Sequence, residues 1–155
     1  MIFTLLIVLG VFYLIFIRQP SLTQSLNRQA FFLNFSALKN GIYLANIRFI
    51  TNHQLDSPLD RWISNNIGLD FNQKGFPIGT DVTNNQQQTP LSSNDCLTIW
   101  KFVLGPLQPK IFLTHQQDSY HARLSKNNIC IYISNQLDDA EIHYNALTGK
   151  VYFFE

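Results

Sequence analysis

The chain begins with an uninterrupted apolar segment. Between Ile2 and Ile17 there is no charged side chain, and only Thr4 and Gly10 interrupt the run before Arg18-Gln19-Pro20. At about 1.5 Å per residue, a helix of this length covers roughly 24 Å, a little less than the roughly 30 Å of a bilayer's hydrocarbon core. Local thinning of the bilayer and a snorkelling arginine compensate for such a shortfall. The pattern predicts a transmembrane anchor over residues 1–19.

Two other interpretations of this segment are a cleaved secretory signal and a buried core helix. A cleaved signal requires basic residues before the apolar run and small residues at a cleavage site after it. Neither is present, and the end of the run carries the bulky Phe12, Tyr13 and Phe16. For orientation, Arg18 and Arg28 favour the cytoplasm for the side that follows the span. The cysteines further on favour the opposite, so we expect a single-pass protein with its C-terminal domain outside the cytoplasm.

A helical pattern continues beyond Pro20, a residue that is tolerated in a first helical turn. Apolar residues recur mostly at steps of three or four, as on one face of a helix: Leu22, Leu26, Phe31, Phe35, Leu38, Ile42, Ala45 and Phe49. We expect the opposite face to carry the polar residues Gln24, Arg28, Asn34, Lys39, Asn40 and Asn46. The spacing predicts an amphipathic helix over residues 20–52 whose apolar stripe packs against a globular domain at 53–155.

The globular part mixes short helices with short strands. Ser57-Pro58 opens one or two helical turns with Trp62, and Ser92-Ser93 caps a second helix that Gly105-Pro106 ends. The stretch from Gly75 to Gly79 predicts a loop with possible short strands. Four later runs rich in β-branched and aromatic residues predict an antiparallel meander: 120–124, 129–133, 142–144 and 151–154. The expected fold class is α+β, with the long N-terminal helix packed on a small antiparallel sheet.

Composition excludes several functions. Charged residues make up 14% of the 155 residues, the net charge is +1, and no run of Lys or Arg occurs. Nucleic-acid binding therefore lacks its electrostatic basis. The chain also has no nucleophile signature, no phosphate-binding glycine loop and no zinc motif. We expect a protein that is not an enzyme and needs no cofactor.

Metal binding has only a weak candidate. His53, His115, His121 and His143 are scattered without the spacing of metal ligands. Asp138, Asp139 and Glu141 form a small acidic turn that is a weak candidate for Ca²⁺, although such turns more often serve solvation and no EF-hand pattern is present. We therefore expect no metal. Trp62 and Trp100 are expected to be core anchors rather than platforms for a ligand.

Several fragments resemble the type IV pilin and pseudopilin family, most nearly minor pilins of the mannose-sensitive haemagglutinin type. Phe3-Thr4-Leu5 resembles the start of a processed pilin, and 95–100 (DCLTIW) resembles a helix of these minor pilins that carries a cysteine. The segments 130–133, 142–145 and 148–151 resemble their closing strands. The chain departs from the family at Ile7, where pilins have a glutamate, and only Met1-Ile2 precede Phe3, where pilins have a basic leader.

The resemblance implies a pilin-like fold and a structural subunit of a type IV pilus or a type II secretion pseudopilus. It implies localisation in the bacterial inner membrane, a periplasmic or extracellular domain, and other pilin or pseudopilin subunits and membrane lipid as partners. Assembly would use the N-terminal helix through Leu5, Val8, Leu9, Phe12 and Phe16. The likeness also favours a disulfide between Cys96 and Cys130, although two free buried cysteines are the alternative. The competing function is a membrane-tethered binding module.

Overall fold

The N-terminal segments predicted as anchor and amphipathic helix form one continuous helix. A computed structural model describes residues 2–51, 69–79, 91–106, 108–114 and 120–155, with the backbone alone at 2–9, 11–12 and 14–21. Helix α1 spans Ile2–Thr51 and runs through Pro20 without ending. The predicted segment around Trp62 lies outside the described residues.

One face of α1 packs on the domain, as predicted, but only from Phe31 onwards. The buried members of the stripe are Phe31, Leu38, Ile42 and Ala45, and Phe35 and Phe49 pack partly buried against the same core. Leu22 and Leu26 are exposed, which corrects their assignment to this stripe. Each residue turns an α-helix by about 100°, so the five-residue step from Leu26 to Phe31 places them about 140° apart.

Three polar residues that we expected on the outward face of α1 instead contact the domain. Asn34 Nδ2 donates to the hydroxyl of Tyr120 at 3.0 Å, and Asn46 Nδ2 donates to the carbonyl of Lys74 at 2.8 Å. Arg28 pairs with Asp139 at 3.1 Å. Long polar side chains at the border of a buried face can reach the polar groups of neighbouring loops, which explains their position.

The meander predicted for the last third is confirmed and gains an unpredicted strand. The strands are β3 (Ile111–Phe112), β4 (Tyr120–Ser125), β5 (Ile129–Ser134), β6 (Glu141–Asn145) and β7 (Val151–Phe154), arranged in the order β3-β4-β5-β6-β7. All neighbours are antiparallel except β3 and β4, which are parallel. The sheet is therefore mixed.

Helix α2 (Ser93–Leu104) covers the inner face of this sheet beside α1. It begins with a capping box in which the Ser92 hydroxyl accepts from Asp95 N and the Asp95 carboxylate accepts from Ser92 N. The fully buried Trp100 packs its ring 4.8 Å from Tyr132, which confirms its prediction as a core anchor. The fold class is α+β, with the N-terminal helix and α2 on one side of the sheet.

A separate hairpin closes the end of the core. It consists of β1 (Asp70–Phe71) and β2 (Pro77–Gly79), so the strands that we expected within 75–79 are only partly as predicted. The buried Asn72 organises the turn, because its Oδ1 accepts from Lys74 N and Phe76 N. Its Nδ2 donates to Ala146 O at 2.7 Å and ties the hairpin to the large sheet.

Among the described residues, no helix is both long enough and apolar enough to cross a membrane.

Candidate functional site

The half of α1 that faces away from the domain carries a second apolar surface. Seven large hydrophobic side chains are exposed on it, and we call them the outer stripe: Leu22, Leu26, Leu33, Tyr43, Leu44, Ile47 and Ile50. Phe32 is also half exposed, but it lies at the border of the two faces and packs against Phe153 of β7. Leu33 is 67% exposed and Leu22 is 62% exposed. At about 100° per residue these side chains cluster on one side of the helix, opposite Phe31, Leu38 and Ala45. Large apolar side chains therefore lie on two opposite faces of the helix, and on the outer face the exposed Gln29 and Asn40 lie among them.

Apolar side chains on two opposite faces are typical of a helix that is buried on both faces. In the part of the domain that the structure describes, the core packs on the inner face, and the side chains of the outer stripe are exposed. Soluble monomers rarely expose a large contiguous apolar surface, and such surfaces mark sites of interaction with proteins or membranes. The outer stripe is therefore the strongest candidate for a functional surface among the described residues.

The domain holds the outer stripe in a fixed orientation. At the N-terminal side, Arg28 reaches both Asp139 at 3.1 Å and Glu155 at 3.8 Å. Further along, Asn34 is bound to Tyr120, and Phe31 packs on the same tyrosine with ring centroids 5.5 Å apart. These contacts fix both the axial position and the rotation of α1. The outer stripe is consequently presented as a rigid surface.

The residues predicted to carry assembly within the membrane lie in the same helix. The backbone of α1 includes Leu5, Val8, Leu9, Phe12 and Phe16. Their side chains lie outside the described residues, so the assignment of these five positions stays a prediction. Residues 52–68, which join α1 to the first hairpin, also lie outside the described part, including His53.

Cys96 on α2 and Cys130 on β5 are placed as a disulfide. Their sulfur atoms are 2.01 Å apart and their Cα atoms 5.3 Å apart, across a sequence separation of 34. Both side chains are fully buried. The geometry is compatible with the bond that the resemblance favours. The disulfide would join α2 directly to β5 at the centre of the sheet. A hydrogen bond links the same two elements, because the hydroxyl of Tyr132 on β5 donates to Cys96 O at 2.9 Å.

The acidic residues considered for Ca²⁺ are separated by their own partners. Asp139 pairs with Arg28, and Glu141 bonds Arg123 Nη2 at 3.1 Å. Glu141 Oε2 also lies 2.6 Å from His143 Nε2. Within the described ranges, no three His, Cys, Asp or Glu side chains are grouped so that they could hold a metal ion. The structure therefore does not bring Asp138, Asp139 and Glu141 together as ligands.

Two histidines take part in polar contacts on the outer face of the sheet. His121 Nδ1 lies 2.6 Å from Asn135 Oδ1, while His143 bonds Glu141 and packs its ring 4.4 Å from that of Phe154. Burial raises the pKa of Glu141, but the hydrogen bond from His143 and the charge of Arg123 outweigh it, so this pKa lies below its ordinary value. These contacts are interactions among neighbouring groups on the surface of the sheet, within a strand, between strands and with a turn. His115 lies outside the described residues.

Sequence reasoning missed the outer stripe because it assigned the helix a single apolar face. The signal was present in the spacing of Leu22, Leu26, Leu33, Leu44 and Ile47, whose steps are 4, 7, 11 and 3 residues. Each step is close to a whole number of turns at 3.6 residues per turn, so these positions share one side of a helix.

Comparison of the chain with protein-family models, curated proteins and solved structures finds no match.

Proposed function

We propose that this protein is a pilin-like structural subunit, in a minor or initiating role, of a type IV pilus or a type II secretion pseudopilus. The observation that supports this proposal is the outer stripe, because an exposed apolar face on a rigidly held helix is explained if neighbouring subunits cover it. In this proposal, α1 packs against the corresponding helices of other pilin or pseudopilin subunits. The protein acts through assembly rather than through turnover.

The proposal includes a membrane anchor in the first part of α1. The uncharged run from Ile2 to Ile17 would hold the chain in the bacterial inner membrane, with the domain on the periplasmic or extracellular side. The Cys96–Cys130 pair supports this orientation, because disulfides persist in oxidising compartments. Ile7 adds to the apolar character of the anchor, since a carboxylate within the hydrocarbon costs a few kcal/mol.

The decisive experiment tests whether association depends on the outer stripe and not on the rest of the surface. We would express the full chain, extract it in mild detergent and measure self-association and binding to co-expressed subunits by sedimentation. Leu33→Lys and Leu44→Lys are expected to abolish association, because a lysine at the centre of an apolar contact leaves a buried charge without a partner. Ser125→Lys adds the same charge at an exposed position of the sheet and serves as the control.

A second arm tests the membrane part. Leu9→Lys or Phe12→Lys should move the chain out of the membrane fraction or block its assembly, since a lysine in the hydrocarbon core costs about 2.5–3.5 kcal/mol on insertion scales. Assembly that is unchanged by all four lysine variants would refute the proposal. A chain that stays monomeric but binds a glycan or another protein would instead support the membrane-tethered binding module.

A further inference from the structure

The large sheet has an open strand at each of its two ends. β3 and β7 are the outermost strands, and among the described residues their backbones bond only β4 and β6, respectively. An open edge presents unpaired N–H and C=O groups, and natural proteins usually protect it with charges, proline, bulges or a covering element. β7 consists of Val151, Tyr152, Phe153 and Phe154, with a regular register and no charge or proline. Among the described residues, the strand itself therefore has no charge, proline or bulge to protect its edge, and α1 packs beside it through the contact of Phe31 with Phe153.

Exposed apolar side chains accompany both edges. On β7, Tyr152 is 46% exposed and Phe154 49%, and beside β3, Leu113 is 46% exposed. The registers align Phe112, His121, Ile133, Glu141 and Phe154 in one cross-strand row on the outer face of the sheet. An aromatic residue therefore stands at each end of the same row. Cross-strand pairs of aromatic residues stabilise a sheet.

The two edges also match in direction and charge. Following the pairings across the sheet, β7 runs antiparallel to β3. If a second copy continues the sheet beyond β7 of the first copy, its β3 therefore lies antiparallel to that β7. In that arrangement Lys110, just before β3, lies near Glu155, just after β7. Charges of opposite sign favour the contact, and the 3.8 Å contact of Glu155 with Arg28 is at an exposed site.

We propose that β7 of one copy pairs with β3 of the next copy of this chain and so extends the sheet from subunit to subunit. The choice of β3 over a second β7 rests on the proposed function. Pairing of two β7 strands about a two-fold axis would reverse the direction of α1 in the second copy, which would prevent both copies from being anchored in one membrane. Pairing of β7 with β3 repeats without closing, as a filament requires, and the twist of the sheet rotates each successive copy about the direction in which the sheet extends.

Single added cysteines test the pairing directly. The chain has only two cysteines, Cys96 and Cys130, and both are buried in the disulfide site, so an introduced thiol is the only reactive one. Phe112→Cys and Phe154→Cys chains are purified separately in detergent, mixed and oxidised mildly. Positions 112 and 154 are four strand spacings apart, about 19 Å, and cannot be bridged within one chain. We expect a covalent dimer from the mixture, none from either variant alone, and a ladder of multimers from the doubly substituted chain.

The controls separate this proposal from the assembly proposal. Phe112→Cys mixed with Ser125→Cys should give no dimer. Lys110→Glu should reduce the yield from the Phe112→Cys and Phe154→Cys mixture, whereas Lys110→Arg, which keeps the charge, should leave it unchanged. A dimer from Phe154→Cys alone would show two-fold pairing of β7 and overturn the proposal. No dimer from the mixture, while the unmodified chain still associates through its outer stripe, would overturn the strand pairing alone. A chain that never associates would overturn both proposals.

Discussion

The backbone of Gly41 lies directly against the side chain of Val103. A Cβ atom added at position 41 would lie 2.4 Å from Val103 Cγ1 and 3.1 Å from the Val103 carbonyl oxygen. Gly41 is buried within α1, and Val103 is in the last turn of α2. Glycine in a helix interior costs about 1 kcal/mol relative to alanine, so this position favours close packing over helix propensity. The contact sets how closely α2 approaches α1.

Gly41→Ala is therefore expected to destabilise the protein although it increases helix propensity. Overpacking typically costs about 1–3 kcal/mol, and the propensity gain of about 1 kcal/mol offsets part of it. We expect the free energy of unfolding to fall by about 1 kcal/mol. Urea unfolding of the full chain in detergent, followed by tryptophan fluorescence, measures the change.

The matched control for this prediction is the double variant with Val103→Ala. Removing the methyl groups that the new Cβ would meet leaves room for alanine at position 41. The double variant should then be more stable than the sum of the two single changes predicts, because residues in contact are not additive. Additive effects would show that the two side chains do not collide.

The strand meander could be predicted because each strand carries its own local signal. The runs at 120–124, 129–133, 142–144 and 151–154 are rich in β-branched and aromatic residues and are separated by turn residues, and each becomes a strand within one residue of its predicted bounds. β3 could not be predicted in this way, because two residues form no pattern. It exists only because β4 lies beside it, which is a tertiary effect.

The orientation of α1 was harder to predict, because both of its faces are apolar. Phe31 and Leu33 are equally typical of a buried position, yet one is fully buried and the other is 67% exposed. The polar residues did not resolve the choice, since Asn34 and Asn46 bond the domain instead of facing away from it. A polar residue usually indicates the solvent-facing side of a helix, but one at the border of the buried face can bond the domain instead. Only the folded structure shows which partner such a residue has.

The Cys96–Cys130 pair should be oxidised in the protein isolated from an oxidising compartment. Alkylation before reduction should then leave the mass unchanged, and alkylation after reduction should label both thiols. In the chain-entropy model, a loop of 34 residues contributes about 3–4 kcal/mol to stability. Cys96→Ala/Cys130→Ala should lose an amount of this order in urea unfolding. Labelling of both thiols without reductant would contradict the prediction.

The buried tyrosines make the protein sensitive to alkaline pH. Burial raises the pKa of Tyr132, and burial together with the charge of Tyr132 raises the pKa of Tyr144. Their hydroxyls donate to Cys96 O and Pro77 O, respectively. An unfolded tyrosine ionises near its ordinary pKa of about 10, while the folded one stays protonated. Above that pH the unfolded state binds fewer protons, so stability should fall as pH rises.

Phenylalanine substitutions isolate this alkaline effect. Tyr132→Phe/Tyr144→Phe should lose about 1–3 kcal/mol per position at neutral pH, because each change removes a buried hydrogen bond. Above about pH 10, however, its stability should decline less steeply than that of the unmodified chain. Thermal unfolding from pH 7 to 11 provides the comparison, and equal slopes for the two proteins would contradict the assignment.

Phe31 and Leu33 are two residues apart on α1 but face opposite sides, so equivalent truncations should have opposite consequences. Phe31 is fully buried between Tyr120 and Phe153, and Phe31→Ala should lower the free energy of unfolding by about 3–5 kcal/mol. Leu33→Ala should change it by less than about 0.5 kcal/mol, as is usual for exposed positions. Association should show the reverse, because Leu33→Ala removes apolar area from the outer stripe without unfolding the domain. Urea unfolding and sedimentation in detergent measure the two effects on the same samples. If Leu33→Ala unfolded the domain, or left association unchanged, the division of α1 into a packing face and an assembly face would be wrong.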